Sequence, residues 1–535
     1  MRFFRIRLAF VLFFLMLLSA ALPTVSASSD AETRLSEFNR LAGTSYSYST
    51  PLTREDFCVA VAKLFNNGRT SEVSPPFEDV SDVRSESLPF LAALYEDGLL
   101  MGVDARGMLY MHPNAPMTRQ EAVTFLGRVL GRTSYNAMIF TDADMIAPYA
   151  YEYIAWFVDW GLIVGYPDGS FGPGNHMNAG ELAFLSTRVL DHQKRDMAQI
   201  STYSGTGGQG LADGGRQQAR FTLPSGLLVD SSGTVTVFDT YNNAIRRIDN
   251  TGVQTMTGKS VRIDDHGFPY GAFQDGALNT ALLNRPADGV IDSKGNLLIA
   301  DSQNHVIRII YDNEMYTFCG SDRGYADGSH DRARFDTPMA LAIDSNDNVY
   351  VADTLNNCIR MIDARGNVST IAGVAGREGF LDGATGSALF RAPSGIAVSP
   401  DGGVIYVADT GNHLIRKIEN GRVTTLAGRF DSSSNDGEPL GGFRNGPGTS
   451  SLFLLPGGIA YYDGDIYVAD SGNHMIRVIT AEGVVFTVAG NGEPGDRDGS
   501  ALGAVLNAPG GVSVVDGAIY VADTGNNKVK VVALA

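Results

Sequence analysis

Six aspartates recur in the same company. Asp239, Asp301, Asp353, Asp409, Asp470 and Asp523 are each followed three residues later by an asparagine and seven later by a base. The asparagines are Asn242, Asn304, Asn356, Asn412, Asn473 and Asn526; the bases are Arg246, Arg308, Arg360, Arg416, Arg477 and Lys530. Carboxylates beside guanidinium groups are raw material for general acid–base chemistry. Catalysis needs one such acid, however, not six in identical register. The spacing instead predicts a salt bridge across a β-turn in each repeat. Asparagine suits the turn because it tolerates positive φ and caps the backbone. These Asp and Arg residues are therefore read as structural, and no catalytic residue is assigned.

Other chemistry-bearing residues give similar readings. His305, His413 and His474 stand four residues after their aspartates, where the other repeats carry Asn243, Asn357 and Asn527. Three histidines from different repeats could converge on a metal. Exchange with asparagine points to a turn position instead, and no metal is assigned. A second phrase ends in Asp213-Gly214, Asp275-Gly276, Asp327-Gly328, Asp382-Gly383, Asn445-Gly446 and Asp498-Gly499. It reads as turn chemistry in the loops that join repeats, without the clustered carboxylates of a calcium loop. No nucleophile elbow, Ser–His–Asp set or phosphate loop stands out, so no cofactor is expected. Three cysteines, Cys58, Cys319 and Cys358, cannot build a disulfide framework.

The elements that carry these residues follow from the period. The aspartates are spaced 62, 52, 56, 61 and 53 residues apart, and each interval holds short β-rich runs between Gly-rich turns. In one repeat the runs are 393–398, 404–409, 414–418 and 423–428. Four strands at this period are the blades of a propeller. The last repeat stops at Ala535 without its fourth strand, while Ile200–Gly205 upstream matches Val368–Gly373. Residues 199–205 should therefore complete the last blade and close the ring, hiding edges that invite aggregation. The expected domain is an all-β six-bladed propeller over 198–535.

Pro393-Ser394-Gly395-Ile396-Ala397-Val398, Val407-Ala408-Asp409-Thr410 and Ile415-Arg416-Lys417-Ile418 resemble the NHL repeat. That resemblance implies protein-binding platforms, RNA binders, receptor ectodomains or, in one branch, metal-dependent lyases. Function belongs to sites grafted on such a fold, not to the fold.

The N-terminal third is helical and also repeated. Phe77-Glu78-Asp79 leads to Gly98–Gly102 and then to Thr118-Arg119-Gln120-Glu121; Phe140-Thr141-Asp142 leads to Gly161–Gly165 and then to Asn178-Ala179-Gly180-Glu181. A partial earlier copy holds Thr53-Arg54-Glu55-Asp56. Thr53 and Thr118 are N-caps with an acid three residues on, which is a capping box. Trp156 and Trp160, one helical turn apart, read as a core stripe.

These motifs resemble the S-layer homology (SLH) repeat of bacterial surface proteins. The resemblance implies a pseudo-threefold helical bundle that binds an anionic, pyruvylated secondary wall polysaccharide in grooves between repeats. Thr53, Arg54, Thr118, Arg119, Asp168 and Gly169 are the positions it points to. Arg is well shaped for a carboxylate, and a helix N-terminus favours an anion. The third copy lacks its Arg, so at most two grooves keep the full motif.

The remaining signals concern address and charge. Arg2, Arg5 and Arg7, an apolar Leu8–Leu22 and small residues ending at Ala27 read as a signal peptide over 1–27. The expected organisation is then 28–50 of uncertain structure, SLH-like copies over 51–191 (77–131 and 140–191 being the second and third), a linker at 192–197 and the propeller. The chain has 535 residues, 62 glycines and a formal net charge of −18. That acidity argues against nucleic acid as a partner, and no later run is long enough to span a membrane. The reading is an exported protein of the bacterial cell wall or S-layer, held non-covalently at the surface. It would display a propeller that binds a protein, peptide or glycan. The alternatives are a secreted metal-dependent lyase or hydrolase using the propeller funnel, and a purely architectural component.

Overall fold

A computed structural model describes residues 29–258, 263, 269–429 and 441–533. The signal-peptide segment, 1–27, lies outside the described residues. The chain divides into two compact units, a helical one within the first 190 residues and a β one that includes Asp191–Ala535.

The helical unit comprises α1 (Ser29–Ala42), α2 (Arg54–Phe65), α3 (Leu88–Glu96), α4 (Arg119–Leu130), α5 (Pro148–Asp159) and α6 (Ala179–Met197). Helix α1 fills most of the segment left unassigned from the sequence. Residues 192–197, expected as a linker, are instead the last turns of α6. No Pro or Gly interrupts His192–Met197, so nothing there stops the helix.

Capping boxes start α2 and α4, as the motif predicts: Thr53 accepts from the Asp56 N–H (3.2 Å) and Thr118 from the Glu121 N–H (3.4 Å). The degenerate third copy keeps the device with different letters. Asn178 Oδ1 accepts from the Glu181 N–H (2.9 Å), and Glu181 accepts from the Asn178 N–H (3.0 Å).

The residues just before the caps bind the three copies together. Leu52 N–H donates to Met177 O (3.4 Å), Met177 N–H to Met117 O (2.9 Å) and Met117 N–H to Leu52 O (3.3 Å). This closed triangle of buried residues marks a pseudo-threefold axis. The aspartates of Phe-x-Asp have their own task. Asp79 accepts from the Met111 and His112 N–H groups (2.8 and 2.7 Å), and Asp142 from those of Phe171 and Gly172 (2.7 and 2.9 Å).

The β unit is a six-bladed propeller of antiparallel sheets. In the fourth blade β1 (Gly395–Val398), β2 (Val404–Asp409), β3 (Leu414–Glu419) and β4 (Arg422–Ala427) run in order, with Val407 opposite Arg416. The last blade is closed as expected: Gln199–Ser204 pairs with Lys528–Ala533. Each Asp-Gly loop, read from the sequence only as a turn, also pairs with the fourth strand of its blade, as Gly383 does with Val423.

One hydroxyl per blade fastens it to the next. The residue after each repeated Asp donates to a proline carbonyl of the following blade: Thr240 to Pro286 (2.9 Å), Ser302 to Pro338 (2.5 Å), Thr354 to Pro393 (2.7 Å), Thr410 to Pro456 (2.7 Å), Ser471 to Pro509 (2.6 Å) and Thr524 to Pro224 (2.7 Å). The series returns to its start, so the ring is locked all the way round.

The six Asp–base pairs lie inside the blades. Arg416 is fully buried and contacts Asp409 at 2.7 Å and Asp382 at 2.6 Å. Removing one partner of a buried pair strands the other charge. Arg416→Met should therefore cost about 3–5 kcal/mol, seen as a lower denaturant midpoint. Adding Asp409→Asn should recover much of that loss; equal losses in the single and double variants would contradict the ion-pair account.

Candidate functional site

The repeated propeller residues are consumed by structure. In five of the six blades the Asp takes three donors. Asp239 accepts from the Thr222 N–H (2.7 Å), Asn242 Nδ2 (2.7 Å) and Arg246 Nη1 (2.7 Å). The same contacts recur at Asp301, Asp353, Asp409 and Asp470 with Arg308, Arg360, Arg416 and Arg477.

Burial pushes Asp239, Asp301, Asp353 and Asp523 up to about 6 against the pull of their partners. Aromatic rings cover the guanidinium groups, as Phe273 does Arg308 (4.7 Å) and Tyr325 does Arg360 (4.7 Å). The last blade departs from this: Lys530 lies between Asp496 (2.7 Å) and Asp498 (2.8 Å), with Asp523 at 3.7 Å.

The histidines do the work of the asparagines. His305, His413 and His474 accept through Nδ1 from the N–H groups of Thr337 (3.1 Å), Leu455 (3.0 Å) and Ala508 (3.0 Å). Asn243, Asn357 and Asn527 accept equivalently from Arg285, Ala392 and Leu223. All six residues have positive φ. Among the described residues, no group of three or more His, Cys, Asp or Glu side chains is arranged to hold a metal ion.

The central channel holds one ionisable side chain that does not repeat. The cavity, about 280 Å³, is lined by the first strands of the blades. At the third position of Pro-x-Gly the blades carry Gly226, Asp288, Ala340, Gly395, Gly458 and Gly511. Asp288 Oδ2 accepts from the Leu341 N–H of the next blade (3.1 Å), and burial pushes its pKa to about 7. A Cβ on Gly226 would lie 2.9 Å from Asp288 Oδ1, so a small neighbour makes room for the carboxyl. The broken Pro-x-Gly phrase was a legible signal for this residue, and the sequence reading missed it.

The candidate polysaccharide residues divide into three groups. Thr53 and Thr118 are occupied as caps. Asp168 accepts from Ser170 N–H (2.9 Å) and Oγ (2.7 Å), and Gly169 has φ +83°; the two form an exposed turn. Arg54 and Arg119 each reach the acid of the next copy: Arg54 to Glu121 (2.7 Å) and Arg119 to Glu181 (3.7 Å).

The expected help from helix N-termini is absent at α2 and α4. The N–H groups of Arg54 and Glu55 donate to Ala115 O and Pro113 O, and those of Arg119 and Gln120 to Asn175 O and Pro173 O. Backbone donors already spent on the neighbouring copy cannot also receive an anion.

A cavity of about 300 Å³ lies at Arg54 and Glu121. Arg128 and Tyr149 also line it, with Met101 and Met117 as apolar wall. The sequence reading missed Arg128 and Tyr149. A signal existed for Arg128, ten residues after its cap as Arg188 is after Asn178.

Comparison with known proteins assigns names to these parts. The S-layer homology domain model matches residues 76–123 and 139–183. The Teneurin NHL domain model matches 204–419, and the NHL repeat model matches 453–479 and 506–532. Among curated relatives, protein SUPPRESSOR OF QUENCHING 1 of Arabidopsis thaliana is 32% identical, covering 49% of this chain and 26% of its own length. Human NHL repeat-containing protein 2 is 30% identical over 44% of this chain and 36% of its own length, and mouse Teneurin-4 is 28% identical over 51% and 11%. The chain thus spans well under half of each relative. Of solved structures, an auxiliary nutrient binding protein from Bacteroides ovatus matches with TM-score 0.47 and 18% identity, covering 63% of this chain and 76% of its own. Virginiamycin B lyase from Staphylococcus aureus matches with TM-score 0.39 and 15% identity, covering 63% and 100%.

Two titrations in the propeller should oppose each other. His305 and His413 are held below the usual histidine value, chiefly by burial, so their contribution to stability is present above about pH 6.5 and is lost as pH falls. Asp288 is raised, so its contribution is complete below about pH 4 and is lost as pH rises through 7. Thermal midpoints against pH should show a shallower acid-side fall in the His305→Asn, His413→Asn double variant, and a shallower neutral-side fall in Asp288→Asn, the other shifted carboxylates carrying the remainder. His413→Leu, by contrast, strands the Leu455 N–H and should cost about 1–3 kcal/mol.

Proposed function

We propose that this chain, with its S-layer homology repeats followed by an NHL-type propeller, is an exported surface protein. The helical repeats hold it non-covalently to a bacterial cell wall through an anionic secondary polysaccharide, and the propeller serves as a binding platform. The observation that carries the anchoring reading is the cavity at Arg54, Glu121 and Arg128. Two guanidinium groups there face one carboxylate beside an apolar methionine wall. A saccharide bearing a carboxylate, such as a pyruvylated sugar, offers the complementary charge and an apolar face. S-layer homology domains in general bind cell-wall polysaccharide, which supports the assignment. Among the described residues no helix is long and apolar enough to cross a membrane.

The propeller's share of the function is binding rather than display of the repeated side chains, which are buried in ion pairs. Its ligand would be a protein, peptide or glycan.

Sedimentation with purified wall sacculi tests the anchoring. The full chain should pellet with intact sacculi and stay in solution once the wall polysaccharide is stripped. A fragment of residues 198–535, which contains its own closing strand, should stay in solution with both. A full chain that never pellets would end the anchoring proposal.

A further inference from the structure

The three pseudo-equivalent interfaces of the helical unit are built from corresponding residues but differ in charge. In the first, Arg54 pairs with Glu121 at 2.7 Å, and Arg128 lines the same cavity. The charge there is two guanidinium groups against one carboxylate. The cavity has an apolar lip, since Met101 is 59% exposed. Tyr149, half-exposed, sits within the electrostatic reach of Arg54, Arg128 and Glu121 and adds a hydroxyl.

The second interface has the motif but uses it differently. Arg119 lies 3.7 Å from Glu181, and its guanidinium is stacked over Tyr166 (4.9 Å) and Phe171 (5.2 Å). Arg188, the counterpart of Arg128, is stacked 4.1 Å over Phe184. Both cations lie closer to rings than Arg128 does to Tyr153 (6.0 Å), and the rings take part of the interaction an anion would need.

The third interface has no surplus cation. Ala179 stands where Arg is expected, and Asp56, the acid it would meet, draws its cation from Arg84 at 2.6 Å. Arg84 also binds the buried Glu55. One guanidinium therefore faces two carboxylates, and counting Lys63 as Arg128 was counted makes the charges equal. Tyr48 packs against Gly180, where a Cβ would lie 2.4 Å from its ring. Lys63, the counterpart of Arg128 here, lies over the Phe90 ring (5.5 Å).

We propose that the helical unit binds one carboxylate-bearing saccharide per chain, in the first interface, with Arg128 and Tyr149 as binding residues alongside Arg54. The second and third interfaces are structural joints. This inference rests on the anchoring reading and narrows it to one groove. A surplus cation attracts an anion, more strongly the less it is engaged by a ring, and an interface with no surplus cation does not.

The test is calorimetric titration of the full chain with size-fractionated wall polysaccharide fragments. One fragment should bind per chain. Arg128→Gln should weaken binding at least about tenfold, as expected for loss of a charged hydrogen bond. Tyr149→Phe should weaken it less, and Arg84→Gln should leave it unchanged. Arg54→Gln should match Arg128→Gln; since Arg54 pairs with Glu121 and Arg128 lies 6.0 Å over the Tyr153 ring of the next copy, circular dichroism would show whether each variant still folds. Two or three fragments per chain would overturn the inference while leaving the anchoring reading standing. So would a loss in Arg119→Gln equal to that in Arg128→Gln. If the unmodified chain binds no fragment at all, both the inference and the anchoring reading fall.

Discussion

The propeller depends on a charge buried where charge is expensive. Arg246, Arg308, Arg360, Arg416 and Arg477 are completely excluded from solvent, and each is held by a carboxylate that is itself excluded. Taking such a pair out of water carries a desolvation penalty that Coulomb attraction offsets only when every remaining donor is matched. Here the matching is nearly complete. In the fourth blade Arg416 also donates to Leu389 O (3.1 Å) and Leu381 O (3.1 Å), and Asp409 receives a backbone N–H and an amide. The pair thereby fixes β3 of its blade to β2, to the incoming loop and to the Asp-Gly outer edge together. A blade with the wrong register would strand a guanidinium in an apolar interior, so the interaction selects against misfolded arrangements as well as stabilising the native one.

The helical unit relies more on backbone groups, although Glu55 and Arg188 are buried charges there too. Its three copies meet through backbone groups just ahead of the caps, and the acids of the second and third caps face the first-turn Arg of the preceding copy. One sequence device thereby both starts a helix and joins it to its neighbour. The third copy shows which parts of that device are indispensable. Asn178 and Glu181 preserve the cap, whereas the Arg position could become Ala179 once Arg84 supplied Asp56 with a cation.

Much of this architecture was legible in the sequence because repetition averages out local ambiguity. The strand ends at Val404–Asp409, the closing strand at Gln199–Ser204 and the capping acids Asp56 and Glu121 were all placed within a residue or two. Reading by repeats has a matching blind spot, since it discounts whatever occurs once. Asp288, which breaks a Pro-x-Gly phrase, and Tyr149, which has no counterpart in the other copies, were lost this way. The spent N–H groups of α2 and α4 were invisible for another reason. Their partners, such as Ala115 and Pro113, lie some 60 residues away in the next copy, and no local rule connects them. The run 192–197, read as the connection between the two repeat types, is helical to Met197.

The closing strand has a mechanical meaning. The covalent path from the helical unit enters the ring at Gln199, directly into the strand that pairs with Lys528–Ala533. Tension along the chain is therefore delivered first to that seam, which is also the blade where lysine stands in for arginine. A pull on the helical unit is thus borne by the hydrogen bonds of that seam before it reaches the other five blades.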